Sequence, residues 1–147
     1  MFATRARVRA EPVSAESLAG LSILLVDDDR DNTDLLAFLL QTAGAKVRTA
    51  ASAPQALEMV ADAASPWLPD VLLLDIGLPG VDGYDLLGML RRQPALATVP
   101  AVAVTAYAFA KDKQRAIDAG FRMHISKPYD AAEIVDVLAG LFAPKRP

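Results

Sequence analysis

From Leu21 to Phe142 the chain alternates short apolar runs with amphipathic stretches, and this alternation restricts its fold more than any other feature. Ser22-Ile23-Leu24-Leu25-Val26, Asp70 to Asp75 and Pro100 to Val104 are apolar almost without interruption. A strand with one wet face alternates polar and apolar residues, so unbroken runs suit strands covered on both faces of a parallel sheet. Lys46-Val47-Arg48-Thr49 reads as a more polar second strand nearer an edge, and Phe121 to Ile125 as a short fifth. Helical spacing fills the gaps. Leu35, Leu36, Leu39, Leu40 and Ala43 recur at that spacing before a stop at Gly44. The capping box Ser52-Ala53-Pro54-Gln55 opens a second helix that carries Ala56, Leu57, Val60 and Ala61 inward and ends at Pro66. A loop with Leu78-Pro79-Gly80 and Asp82-Gly83 leads to a third helix bearing Leu86, Leu87 and Leu90. A weaker fourth helix runs from Lys111 to Ala119, and Asp130 with Glu133 caps a fifth bearing Ile134, Val135, Val137, Leu138 and Leu141. Right-handed crossovers make this order, (βα)5, a doubly wound α/β fold: a five-stranded parallel sheet with helices on both faces. Ligand sites in such folds lie at the carboxyl ends of the strands.

Composition narrows the functional classes. With 147 residues, 53% apolar and 22% charged, the chain fits one soluble globular domain. A net charge of -3 gives no general attraction to nucleic acid or anionic membrane, so neither is an expected partner. No apolar run approaches the ~20 residues that span a bilayer. The absence of cysteine excludes disulfides and thiolate chemistry and is compatible with a cytoplasmic location. Residues 1–20 read as a flexible extension or linker, with a basic contact arm through Arg5, Arg7 and Arg9 as the alternative. Residues 21–143 form the expected domain, and 144–147 a tail.

The residues after each strand carry the chemistry. Strand one ends in Asp27-Asp28-Asp29, strand three in Asp75, strand four in Thr105 and strand five in Ser126-Lys127. Parallel strands put all of these on one rim. Crowded carboxylates at Asp27, Asp28 and Asp75 call for a neutralising cation, and with no Cys and a lone His124, a hard oxygen-loving ion such as Mg²⁺ fits better than Zn²⁺. The blander role for the triplet is capping the next helix, which is the reading for Asp29. Asp75, at the end of an apolar strand, is a candidate nucleophile toward phosphorus, with Lys127 stabilising the transferring oxygens. Taken singly, Lys127 is an ordinary lysine and Thr105 an ordinary strand residue; X-Pro at Lys127-Pro128 allows a cis bond that aims the side chain.

Together, Ile23 through Asp29, Asp75 with Leu78-Pro79-Gly80-Val81-Asp82-Gly83, Val104-Thr105-Ala106 and Lys127-Pro128 resemble the response-regulator receiver family over about Leu21 to Phe142. The resemblance implies the flavodoxin-like strand order 2-1-3-4-5. It implies Asp75 as phosphoacceptor, Asp28 as direct Mg²⁺ ligand, Asp27 acting through water, and Gly77 offering its backbone carbonyl to the metal. Thr105 matches the switch hydroxyl and Lys127 the phosphate-contacting lysine. The donor would be a histidine kinase or a histidine phosphotransfer protein. Phosphorylation would change the partners of the face made by the fourth helix, fifth strand and fifth helix (α4–β5–α5), which is also a candidate homodimer surface ending in Leu141 and Phe142.

Three positions depart from the common pattern. His124 stands where the switch aromatic is expected, Gly77 lacks a side chain to position a hydrolytic water, and Tyr107 is bulky where rapidly dephosphorylating relatives carry an acid. These imply a phosphoryl group lasting minutes or longer. The main alternative is a degenerate receiver acting as a phosphorylation-independent interaction module. A nucleotide-binding enzyme would need a phosphate-cradling G-x-x-x-x-G-K-[ST] or G-x-G-x-x-G loop, and the sequence has neither.

Overall fold

The computed structural model describes residues 17–61, 67–106 and 110–142. Five parallel strands, β1 (Ser22–Val26), β2 (Lys46–Ala50), β3 (Val71–Asp75), β4 (Ala101–Thr105) and β5 (Met123–Ser126), form one sheet in the order β2-β1-β3-β4-β5. The helices are α1 (Arg30–Thr42), α2 (Ala53–Ala61), α3 (Gly83–Arg91), α4 (Ala110–Asp118) and α5 (Ala131–Phe142), with a 3₁₀ turn at Pro94–Leu96. This is the doubly wound arrangement expected from the alternation, in the flavodoxin-like strand order that the resemblance implies. Among the described residues, no helix is long and apolar enough to cross a membrane.

Each central strand feeds two cores. Leu24, Val26, Leu72, Leu74, Ala101 and Ala103 pack with Ala56, Val60, Leu86, Leu87, Leu90 and Ala116 from α2, α3 and α4. Their neighbours Ile23, Leu25, Val71, Leu73, Val102 and Val104 pack with Leu36, Leu40, Ile134 and Leu138 from α1 and α5. Side chains alternate across a strand, so burial on both sides requires the uninterrupted apolar runs seen in the sequence. β2, at an edge, has a half-exposed pattern and correspondingly more polar residues.

Several helix faces differ from expectation. Leu35 is 59% exposed, and the inward stripe of α1 is Thr33, Leu36, Ala37 and Leu40. A run of adjacent leucines fits two helical stripes, and packing selects the one that meets the sheet. On α2, Ala61 is exposed and Ala53 buried, so its stripe begins one turn earlier. Phe121 is buried but precedes β5, in the turn where its N–H donates to the Ala116 carbonyl. Leu18 is buried as well, and its N–H donates to Ala43 at 2.8 Å, so ordered packing reaches back into the segment read as an extension. Pro66, Tyr107, the three N-terminal arginines, the tail at 144–147 and the Phe142 side chain lie outside the described residues.

Gly83 brings α3 against the end of β3. A Cβ there would stand 2.6 Å from the Asp75 carbonyl oxygen and 2.8 Å from the Ile76 Cα, both backbone atoms that cannot swing away. The Gly83 N–H donates to the Ile76 carbonyl at 3.0 Å, and Asp82 caps the helix by accepting from the Asp85 N–H. Gly83→Ala should therefore destabilise the fold by roughly 1–3 kcal/mol, the usual cost of forcing a methyl into packed structure. Urea unfolding checks this; a midpoint equal to wild type would contradict the close approach.

Candidate functional site

Three strand ends meet at one rim of the sheet. β1 delivers Asp27, which is buried, and β3 delivers Asp75, also buried. Lys127 follows β5 and spans them: its Nζ lies 3.1 Å from Asp75 Oδ2 and 3.4 Å from Asp27 Oδ2. The peptide bond to Pro128 is cis. Backbone donors hold the carboxylates from below. The Gly77 N–H donates to Asp75 Oδ1 at 2.9 Å, and the Asp29 N–H donates to Asp27 Oδ1 at 2.9 Å. Asp29 itself caps α1 by accepting from the Asn32 N–H, the role read for it from sequence. Thr105, buried at the end of β4, is in register with Ser126, and its carbonyl accepts from the Lys127 N–H. It thus stands between the strand of Asp75 and the segment of Lys127.

The electrostatics are those of charges crowded out of water. Burial raises the pKa of Asp75 above the ordinary 3.8, the Gly77 N–H opposes that, Asp27 adds to it, and Lys127 opposes it; the net direction is upward. Burial would depress the Lys127 ammonium, but Asp75 and Asp27 overcome this and hold it above its usual value. Asp27, Asp28 and Asp75 each offer a carboxylate oxygen, all within 4.8 Å of one another, with Asp28 exposed to solvent. Such an all-oxygen set, open on one side, fits a hard cation that keeps several waters. A carboxylate between an ammonium and a hard cation can act as a nucleophile toward an electrophile that develops negative charge.

His124 is not part of this cluster. It pairs with Ala103 inside the sheet, and its two ring nitrogens are enclosed with no hydrogen-bond partner among the described residues. Two residues that the sequence reading passed over do belong to the site. Asn32 Nδ2 donates to Asp27 Oδ2 at 3.2 Å and to the Tyr129 hydroxyl at 2.8 Å. Their meeting joins positions 97 apart in the chain, and the available hints were only a polar residue in the first turn of α1 and a tyrosine just past Lys127-Pro128.

The chain is similar to known proteins over most of its length. Residues 23–139 match the response regulator receiver domain family. A 14.6 kDa protein encoded in the sodA1 3′ region of Leptolyngbya boryana is 41% identical over 120 residues, 82% of this chain and 88% of that protein. Hybrid signal transduction histidine kinase D of Dictyostelium discoideum is 34% identical over 122 residues, 80% of this chain but 8% of the kinase. The solved structure of Vibrio cholerae chemotaxis protein CheY4 superposes with a TM-score of 0.77 at 25% identity, covering 84% of this chain and 100% of that one. The non-phosphorylated HemR receiver domain of Leptospira biflexa gives 0.73 at 28% identity, covering 86% and 98%.

The raised pKa of Asp75 has a consequence for stability. The folded state holds this proton to higher pH than the unfolded chain, so ionising Asp75 costs stability above that range, and the cost vanishes below about pH 3.8. With metal chelated, Asp75→Asn should melt at a higher temperature than wild type at pH 7, and the gap should close as pH falls toward 3.8. Thermal melts across that range check it. A mutant that melts below wild type at pH 7 would contradict a net unfavourable environment for the charge.

Proposed function

The chain belongs to the response-regulator receiver family of two-component signalling, and we propose that it works as a phosphoacceptor receiver in which Asp75 takes a phosphoryl group with the help of Mg²⁺. The observation that carries this reading is Lys127 bridging Asp27 and Asp75 across three strand ends. Mg²⁺, held by Asp28 and Asp75 directly, by Asp27 through water and by the Gly77 carbonyl, would supply positive charge to neutralise the transferring oxygens. The remaining work falls to the chain itself. A carboxylate oxygen of Asp75 forms the new O–P bond as the P–N bond of a phosphohistidine breaks, and the donor imidazole leaves with the electron pair of that bond and takes a proton. The Gly77 N–H and Lys127 orient the carboxylate beforehand. Lys127 then meets a phosphoryl oxygen, and the Thr105 hydroxyl follows the phosphoryl group as the switch. The protein would thus catalyse only its own phosphorylation and dephosphorylation.

The partners follow from this chemistry. The donor is a histidine kinase or a histidine phosphotransfer protein; the matches to hybrid kinases in Dictyostelium discoideum and to the sensor kinase RcsC of Salmonella typhi support that pairing. The output surface is α4–β5–α5, where Ile117 and Met123 are exposed, and it is also the proposed homodimer face. His124, on β5, takes the place of the switch aromatic within this face. The domain spans residues 21–143, with Leu18 packed onto its core, and works in the cytoplasm.

Incubation with acetyl phosphate followed by intact-mass measurement tests the proposal. Wild type should gain one phosphoryl group only when Mg²⁺ is present, Asp75→Asn should gain none, and the label should persist for minutes or longer after the donor is removed. No gain from either acetyl phosphate or a phosphorylated kinase would favour the phosphorylation-independent interaction module. Retained labelling in Asp75→Asn would overturn the acceptor assignment, and decay within seconds would overturn the lifetime.

A further inference from the structure

Asp27 is held by three donors of two kinds. One is the charged Lys127 ammonium; the other two are neutral, the Asp29 N–H on Oδ1 and the Asn32 amide on Oδ2. The difference matters when a divalent cation enters. Ammonium and metal are like charges drawn to the same oxygens, so metal binding weakens the hold of Lys127 on Asp27. Neutral donors are not repelled and can stay. Asn32 is then the one side chain among those donors that still restrains Asp27 Oδ2. Its orientation has no freedom: a carboxylate only accepts, so the amide must present its NH₂ to Asp27, and the second hydrogen of the same NH₂ goes to the Tyr129 oxygen. Tyr129 is half-buried beside a cavity of about 410 Å³ that Asn32, Lys127 and Ala106 also line. Its ring is therefore in position to fix the amide plane from the segment that carries Lys127.

We propose that Asn32, fixed in turn by the Tyr129 hydroxyl, is a positioning residue that holds the Asp27 carboxylate for the metal while Lys127 is displaced toward the phosphoryl group. This rests on the metal reading given above and adds to it two residues that touch neither metal nor phosphoryl group. Partners of this kind orient a ligand that would otherwise have to be ordered on binding.

Binding of Mn²⁺, a hard-cation probe for an all-oxygen site, followed by loss of the free-ion electron paramagnetic resonance signal, separates the two claims. Wild type should bind and Asp28→Asn should not. Asn32→Ala should raise the dissociation constant about tenfold, and Tyr129→Phe, which removes only the accepting oxygen, about threefold. The double variant should bind no more weakly than Asn32→Ala, because Tyr129 acts through the amide. Melting temperatures in chelator should stay near wild type, a result that general structural damage would not give. If wild type and both single variants bind equally while Asp28→Asn fails, the positioning role is wrong and the metal site stands. If the double variant shows additive loss, Tyr129 does not act through Asn32, and the proposal falls. Absence of binding in wild type would remove the metal reading and this one with it.

Discussion

The ion-pair triad of Lys127 with Asp27 and Asp75 is the contact on which the rest of the site depends. Two buried carboxylates at one sheet edge repel each other and lose hydration, a combination that costs several kcal/mol unless paired and hydrogen-bonded. One ammonium offsets part of this by reaching both. The remainder comes from backbone N–H groups at Gly77 and Asp29, which the loop after β3 and the start of α1 aim at the inner oxygens. The upward direction of the Asp75 pKa shows that the compensation is incomplete. An under-neutralised carboxylate is a site where added positive charge would stabilise the protein, and this is the physical basis of the proposed cation binding.

The fold exists to make that edge. A parallel sheet puts the carboxyl end of every strand on the same side, and the pairing order places β3 between β1 and β4, so that Asp75 occupies the middle of the rim. Cores on both faces hold the strands in register to within a residue, and a one-residue slip would turn each side chain to the opposite face. Gly83 extends this precision to the loop after β3, because only a residue without a Cβ lets α3 start so close to the Asp75 backbone. The chain's apolar content thus fixes the position of a few charges.

The central strands and the charged rim are legible in the sequence because each leaves a local mark. Burial on both faces demands unbroken apolar runs, and Asp27, Asp75, Thr105 and Lys127 stand at the points where those runs end. Facing is harder to read on helices rich in small or repeated apolar residues, as the exposure of Leu35 and Ala61 shows, since several stripes satisfy the same spacing. Asn32 and Tyr129 leave only faint local marks, because the contact that joins them is made only when α1 meets the segment after β5. The steric need for Gly83 is likewise invisible without the path of the β3–α3 loop. Pattern reveals what each element buries, and the meeting of elements has to be seen in three dimensions.

Borohydride trapping identifies which carboxylate, proposed above to be that of Asp75, accepts the phosphoryl group. An aspartyl phosphate is an acyl phosphate, and hydride reduction expels phosphate and converts the aspartate to homoserine. After treatment with Mg²⁺ and acetyl phosphate, peptide mass spectrometry should find homoserine at position 75 and unaltered aspartate at 27 and 28. Homoserine at either of those neighbours, or its absence at 75 in a chain that has gained a phosphoryl group, would show that Asp75 is not the acceptor.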